Sequence, residues 1–411
     1  MGAFLVVFAI LSAIILVFHL ALTAGLLINF RRERSVHGGS ALPETLKTPK
    51  APDRAALPRA EVVVAVRDEE GTLPRLLASL RAQTLDGCLF LFVDDRSTDG
   101  TARLLDDFCA VMGARARVIH NRAEPVGLTG KQAALDRAFA EVKGEVLLFT
   151  DGDCVLPPGW AEEMLLHFLD KRVGVVLGRI ELVEGASFLS RFQAFEQPLL
   201  NQYNFGSVGI GIPTGCFGNN MGVRAAAVKE SGGFRSLGYS VTEDAMLLDA
   251  LCRRGGWEVK TCTSIRSAAT TIPKASWKEY INQHIRWNAG GLFSSDLVTR
   301  VSFIFVVLIY LVGSLLVLPL GFVDWRVPFL SLNAFLSIGL LAGAGGFYEG
   351  KRRGRYFLRS LPYLFFFGFF YSFVTLRALA QRSFVWKGVS LRAVISPGRT
   401  PSPPGPGSFR R

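Results

Sequence analysis

The stretch Glu145-Val146-Leu147-Leu148-Phe149-Thr150-Asp151-Gly152-Asp153 ends a short apolar run in two carboxylates one glycine apart, and Pro157-Pro158-Gly159 follows. The run has the length and the β-branched and aromatic content of a buried strand, and the proline and glycine cluster breaks it into a loop. Asp151 and Asp153 are therefore expected at the carboxyl end of a strand, where open α/β sheets bind ligands. Two hard oxygen ligands there can hold Mg²⁺ or Mn²⁺, which completes its coordination with phosphate and water. Asp153 is the first choice as metal ligand, with Asp151 turned to the metal or to the donor. A polar turn capping a core strand explains an isolated Asp-x-Asp as well, so the surrounding motifs decide.

Those motifs recur at the same kind of position. The apolar run 61–66 ends in Arg67-Asp68-Glu69-Glu70, and 89–93 ends in Asp94-Asp95-Arg96-Ser97-Thr98-Asp99-Gly100-Thr101. A brief third strand is read at 118–120. Between the strands, Leu73, Leu76, Leu77 and Leu80 recur at helical spacing, and helices are expected over 102–112 and from Gly130-Lys131-Gln132 to 142. Strands alternating with such helices make a mostly parallel sheet covered on both faces. All the acidic motifs then share one sheet edge and one crevice. Ser97 and Asp99 are suited to capping the helix that follows them. Lys131, at a helix N-terminus, sits where exposed amides and the helix dipole favour anions. Farther on, a helix is read over 158–170, a strand over 174–183, and a substrate-facing loop over the Gly- and Asn-rich 206–222, including Asn219 and Asn220. Val241-Thr242-Glu243-Asp244 opens a helix to about 254. Gln283, Arg286 and Trp287, spaced i, i+3, i+4, share one face of an amphipathic helix over 276–290, placed along a membrane surface.

The 411 residues allow two to three domains. Residues 4–30, 302–323, 329–347 and 360–376 lack charge, and all but the shortest are long enough to cross a bilayer. The first lacks a basic n-region and reads as an anchor rather than a cleaved leader. The net charge of +12 is confined to residues 351–411, which carry twelve Lys/Arg and no Asp/Glu, leaving 34 basic against 34 acidic residues elsewhere. A basic excess at the membrane-associated end suits lipid headgroups and topology signals, and no nucleic-acid motif accompanies it. The six cysteines are dispersed without a Cys-x-x-Cys pair, so neither a zinc motif nor a disulfide framework is expected.

Taken together, Val93-Asp94-Asp95-Arg96-Ser97-Thr98-Asp99-Gly100-Thr101, Asp151-Gly152-Asp153, Thr242-Glu243-Asp244 and Gln283-His284-Ile285-Arg286-Trp287 resemble the four signatures of family-2 glycosyltransferases. They resemble more narrowly the membrane-bound branch with Gln-x-x-Arg-Trp, which includes ceramide glucosyltransferases and polysaccharide synthases. The resemblance spans roughly residues 60–300. It departs at Val64-Ala65-Val66-Arg67-Asp68, in place of the usual Pro-Ala-Arg-Asn, while keeping Arg67 and Glu69. It implies a GT-A, Rossmann-like α/β domain, a nucleoside diphosphate sugar donor (a UDP-sugar by the branch it resembles), Mg²⁺ or Mn²⁺, and inversion at the anomeric carbon. In that frame Arg67, Glu69, Asp94, Asp95, Lys131, Asp151, Gln283 and Arg286 bind the donor, Asp94 and Asp95 accepting from the base and the ribose. Asp244 is the general base with Glu243 beside it, Arg286 holds phosphate oxygens, and Trp287, Asn219 and Asn220 face the acceptor.

The expected organisation is an anchor (1–30), a linker (31–58), the catalytic domain (59–275), an interfacial helix region (276–301), C-terminal transmembrane helices (302–380) and a basic, Pro/Gly-rich tail (381–411), disordered from 396 on. The membrane protein would be multi-pass with its catalytic domain cytoplasmic, since Arg31-Arg32 flanks the anchor. Three C-terminal crossings carry Arg377, Arg382, Lys387 and Arg392 outward, against the positive-inside rule; either 360–376 does not fully cross or the tail is an exception. Single transfer to a lipid acceptor is preferred because the late apolar segments are few and lack the polar lining that a polymer channel needs. A processive polysaccharide synthase is the alternative, and a non-catalytic scaffold a remote one.

Overall fold

The computed structural model describes residues 2–36, 54–123, 128, 130–294, 296–310, 317–348, 353–380, 383–386 and 389–392. It opens with one continuous helix, α1 (Gly2–Val36). The sheet domain follows in the order β1 (Ala60–Val66), α2 (Leu73–Arg81), β2 (Leu89–Asp95), α3 (Thr101–Met112), β3 (Ala116–Asn121), α4 (Gly130–Phe139), β4 (Val146–Phe149), α5 (Trp160–Leu166), β5 (Val173–Gly178), β6 (Ile180–Leu182) and α6 (Phe188–Gly209). Its second half holds β7 (Met221–Arg224), α7 (Ala225–Ser231), α8 (Gly233–Leu237), α9 (Glu243–Asp249), β8 (Glu258–Cys262), β9 (Ala269–Thr271) and α10 (Trp277–Leu292). The helices α11 (Leu297–Tyr310), α12 (Val317–Gly321), α13 (Arg326–Tyr348) and α14 (Arg353–Ala380) come last, before a small hairpin of β10 (Ser383–Trp386) and β11 (Val389–Arg392).

Seven strands form one sheet in the order β3-β2-β1-β4-β7-β5-β8. β1 pairs in parallel with β2 and β4, β2 with β3, and β5 with β8, whereas β7 runs antiparallel to both its neighbours. The sheet is mostly parallel, as the alternation of strands and helices requires. Val62 and Val64 of β1 point to one face with Leu76, Phe90, Leu148 and Trp160, while Val63 joins Leu91, Leu147 and Ala134 on the other. Both faces are apolar, so these strands read in sequence as unbroken hydrophobic runs. The second core continues without a gap into Leu22 and Leu26 of α1, Leu341 of α13 and Phe367 of α14. The helices flanking the sheet domain thus share its core.

Several expectations are corrected. The strand read over 174–183 is two, β5 and β6, in different sheets. Asn201 of α6 donates to the Ile180 carbonyl and accepts from its N–H, taking over the backbone bonds that end the long ladder. The loop read over 206–222 begins only after Gly209, because Gly206 and Gly209 complete α6, and it ends where β7 starts at Met221. Gly206 and Gly209 lie against the backbone of Leu22 and Gly25, so any Cβ there would collide with α1. The helix read over 158–170 tightens to a 3₁₀ turn at His167–Leu169, and the one starting at Gly130 stops at Phe139. Ser97 does not cap α3; its hydroxyl accepts from the Asp68 N–H instead. The helix read as lying along a membrane has its apolar side covered by protein, with Tyr280 stacked on Phe370 of α14 at 4.9 Å. Most of the expected linker, residues 37–53, and the tail from 396 on lie outside the described residues, while α1 extends past the expected anchor to Val36. Among the described residues, one helix is long and apolar enough to cross a membrane, Leu5–Glu33 within α1. The apolar stretches in α13 and α14, Leu336–Gly346 and Phe366–Ala380, are shorter.

Candidate active site

The carboxyl ends of β1, β2 and β4 meet at one edge of the sheet, and their loops are strapped together. Asp68 accepts from the Thr98 N–H at 2.7 Å, Glu69 N–H donates to Thr101 Oγ1 at 2.8 Å, and Glu70 accepts from the Gly100 N–H at 3.0 Å. Asp68 and Arg96 take left-handed backbone conformations (φ 50° and 61°) at the two turns. Such geometry is costly for non-glycine residues and persists only where neighbours fix it. The straps hold Arg67 and Glu69 at the mouth of a cavity of about 1710 Å³. Gly152 is needed beside them, since a Cβ there would lie 3.0 Å from Val66 and 3.2 Å from Glu69.

Asp151, Asp153, Lys131, Asn219, Glu243, Asp244, Gln283, Arg286 and Trp287, expected from sequence as site residues, all line this cavity. Gly130 starts α4 with φ 58°, and Lys131 in the next position bonds Asp151 and lies 3.7 Å from Glu243. Burial disfavours the Lys131 ammonium, but the Asp151 and Glu243 charges outweigh it and raise its pKa above the usual lysine value. Burial and then the Asp151 charge raise the Asp153 carboxyl above its ordinary 3.8, with Glu69 adding to the effect and Lys274 and the Thr271 hydroxyl opposing it. Three carboxylates crowded at a strand end are a fit environment for a hard divalent cation. Asp244 Oδ2 accepts from the Gly218 N–H at 2.8 Å, which aims this carboxylate at the loop before β7. Burial raises the Glu243 carboxyl, with Lys131 and Arg286 pulling it down and Asp244 pushing it up. On α10, Arg286 donates to the Val241 carbonyl at 3.0 Å and so ties its helix to the start of α9. Trp287 faces Phe217 with ring centroids 6.3 Å apart.

Residues 61–230 match the family described as Glycosyl transferase family 2, and residues 146–397 match Glycosyl transferase family group 2. The second match covers more than half of the chain. The protein belongs to glycosyl transferase family group 2.

This glycosyltransferase is 32% identical over 161 residues to the pre-mycofactocin glycosyltransferase of Mycobacterium tuberculosis, a match covering 38% of this chain and 31% of that protein. It is 25% identical over 338 residues to the beta-monoglucosyldiacylglycerol synthase of Synechocystis sp., covering 76% of this chain and 67% of the relative. The chain spans about a third of the length of several curated relatives it matches, 31% and 30% for two of them. Among solved structures, it resembles a mannosyltransferase from Pyrobaculum calidifontis in complex with GDP-Man and Mn²⁺. That likeness has a TM-score of 0.52 at 15% identity and covers 90% of this chain and 99% of the other. It supports the GT-A fold.

Three expected site residues of the glycosyltransferase do not reach the cavity. Asp94 is 5% exposed; its carboxylate accepts from the Ser97 N–H at 3.1 Å and meets His120 Nδ1 at 3.1 Å. Asp95 pairs with Arg96 at 3.1 Å and with Arg67 at 3.9 Å, so it touches the site only through Arg67. Both carboxylates hold the strand-end loops. Asn220, expected to face the acceptor, is 1% exposed and points into the sheet, where its amide bonds Trp160 Nε1 and the carbonyls of Arg179 and Ser267. Its neighbour Asn219 takes the cavity side.

The sequence reading missed Lys274, Thr271 and Glu196, all but the last beside Asp153. Lys274 follows β9 in irregular chain and is pinned by Gln193 of α6, whose side-chain amide bonds both its N–H and its carbonyl. Glu196 of α6 accepts from Tyr280 and lies 3.0 Å from His284 Nε2, bracing the inner face of α10. No motif marks either residue. Their role comes from a helix packed against a strand end far away in sequence.

Proposed function

We propose that this chain transfers one sugar from a nucleoside diphosphate donor, a UDP-sugar, to a hydroxyl of a lipid acceptor, with inversion at the anomeric carbon. The observation that carries this reading is the continuity of the cavity. The space that holds Asp153, Asp244 and Arg286 is also walled by Phe18 and Leu22 of α1, Phe303 of α11, and Phe367 and Tyr371 of α14. A polar crevice opening onto an apolar wall suits an acceptor with a reacting hydroxyl and a hydrocarbon body. The Synechocystis relative, named for a glycolipid product, supports the same class of acceptor.

In this scheme the Asp244 carboxylate takes the proton of the acceptor hydroxyl as its oxygen attacks the anomeric carbon. Arg286, Gln283 and Lys131 hold the diphosphate oxygens, and the forked guanidinium of Arg286 stabilises the charge that develops on the departing group. Arg67 and Glu69 position the donor, Trp287 packs a flat face against sugar or acceptor, and Asn219 contacts the acceptor. Asp153 and Asp151 would hold Mg²⁺ or Mn²⁺, supplying positive charge to the leaving diphosphate; the Mn²⁺ in the Pyrobaculum structure supports that choice. We further assign residues 59–275 to the catalytic domain on the cytoplasmic side and α1, α11, α13 and α14 to a multi-pass membrane region. Phe322 and Trp325, 93% and 71% exposed between α12 and α13, fit the aromatic residues of a lipid–water boundary.

The test uses the full chain in nanodiscs with a labelled nucleotide sugar and a lipid extract. Single transfer yields a discrete product that partitions into organic solvent. A water-soluble ladder of lengthening chains would instead establish a processive synthase, and no label transfer to lipid under any donor would reject the acceptor class.

A further inference from the structure

Outside the cavity, three side chains from distant parts of the chain converge where α1 leaves the sheet domain. Glu33 lies near the end of α1, His167 opens the 3₁₀ turn after α5, and Cys262 ends β8. They are 7%, 3% and 0% exposed. One ligand atom from each, a carboxylate oxygen, an imidazole nitrogen and the Cys262 sulfur, lies within 4.8 Å of the others. His167 Nε2 and Glu33 Oε1 are 3.9 Å apart. That exceeds a hydrogen bond and is slightly wider than the roughly 3.3–3.5 Å between a nitrogen and an oxygen ligand of one tetrahedral ion with bonds of about 2.0–2.2 Å. Both Glu33 oxygens accept from Thr263, one from its N–H and one from its hydroxyl, an outer set of bonds of the kind that orients a ligating carboxylate.

We propose that Glu33, His167 and Cys262 bind one zinc ion, with water in the fourth position. The donor set is nitrogen, sulfur and oxygen, which favours zinc over the hard cation suited to the carboxylates of the sugar-transfer site. Charge agrees as well: a divalent ion, a thiolate, a carboxylate and a neutral imidazole sum to zero, as a buried site requires. On binding, the Cys262 thiol gives its proton to solvent as the zinc–sulfur bond forms, with no change of oxidation state. The ion would clasp the end of α1 to β8 and fix the apolar helix relative to the sheet. With ligands at positions 33, 167 and 262, no local spacing could carry a zinc signature.

Metal content settles this on the full-length protein, purified in detergent and dialysed against Mg²⁺ buffer. One zinc per chain is expected by mass spectrometry of the elements, falling to background in Cys262→Ala and His167→Gln. Co²⁺ loaded in place of zinc should give the near-ultraviolet charge-transfer absorption of a thiolate ligand, which carboxylate sites cannot produce. Wild-type protein without zinc and without that cobalt band overturns the proposal, whatever the variants do. So does zinc that persists undiminished in Cys262→Ala. Because the cobalt spectrum is read on the wild type, the test stands even if a variant fails to fold.

Discussion

Replacing Asn220 by alanine separates a structural asparagine from an acceptor-binding one. In the native state its amide accepts from Trp160 Nε1 at 2.9 Å and donates to the Arg179 carbonyl at 2.6 Å and the Ser267 carbonyl at 2.8 Å. Gly178 has no room for a Cβ beside that amide, so the neighbourhood is packed rather than merely polar. The substitution leaves Trp160 Nε1 and the Ser267 carbonyl without this partner in the interior, while the Arg179 carbonyl keeps the Ala269 N–H at 3.0 Å. Each such group costs about 1–3 kcal/mol. The two share a single network and do not add in full, so the expected loss is about 2–4 kcal/mol. At about 2–4 °C per kcal/mol for a domain of this class, the melting temperature should fall by roughly 10 °C. Thermal unfolding in detergent, followed by tryptophan fluorescence, measures the fall. Acceptor titrations at a temperature where the variant is folded should return a KM close to wild type. Asn219→Ala is the paired control: its amide faces the cavity and lies 3.8 Å from Cys154 Sγ, so activity should change while melting barely moves. An Asn220→Ala enzyme that melts like wild type but needs much more acceptor would refute the structural assignment.

Asp244→Asn should lower turnover by about 10²–10⁴-fold while leaving nucleotide-sugar affinity nearly intact, as measured by stopped assays beside donor titration calorimetry; lost affinity with preserved turnover would move the base elsewhere. Asp153→Asn should abolish transfer and the thermal stabilisation by Mn²⁺. Because it removes one of three crowded carboxylates, it should also melt higher than wild type in buffer without added metal, and a lower melting point would contradict the crowding. His120 is held above its ordinary 6.5 by its bond to Asp94, with Asp106 assisting against burial. Its contribution to stability is therefore complete below about pH 6.5 and fades as pH rises through the folded value. His120→Gln should flatten that part of the melting profile; an unchanged profile would show that another group titrates there.

The strand-end motifs were legible because buried parallel strands leave a plain trace: an unbroken apolar run that stops at charge. Asp151-Gly152-Asp153 after β4 and Glu243-Asp244 at the start of α9 stand where that trace placed them. The long helix α6 left no such trace. Its buried positions include Gln193, Glu196, Gln197, Asn201 and Gln202, and Pro198 lies within it, so no hydrophobic period appears. Of these, Gln193, Glu196 and Asn201 are tolerated because distant partners, Lys274, Tyr280 and Ile180, satisfy them. The side of the chain on which each motif residue falls was also hidden. The two asparagines sit in a turn that the Asn220 N–H closes on the Phe217 carbonyl at 3.1 Å, and from it Asn219 meets the cavity while Asn220 points to the sheet. Asp94 and Asp95 show a related limit. Their acidity marks the edge of the sheet, but only the cross-strand neighbours His120 and Arg67 reveal that the charge is spent on the loops.

The seat of α1 also has a consequence for the order of assembly. Its partners are made late: His19 Nε2 bonds the Tyr203 hydroxyl 184 residues on, and its other ring nitrogen lies 3.2 Å from Ser337, 318 residues on. At about 5–20 residues per second, roughly 10–40 s separate the synthesis of α1 from that of α6, and roughly 15–60 s from that of α13. Through that interval the groove at Gly25, which fits the Gly206–Gly209 turn so closely that no side chain could intervene, has nothing of its own chain to close on. A bilayer can keep the helix from aggregating, but it cannot supply the backbone surface that the glycines are shaped for. The α6 of a neighbouring nascent copy can. Docking of α1 is therefore the late, non-local step of folding, and exchange of α1 between two chains is the mis-assembly to which this architecture is most exposed.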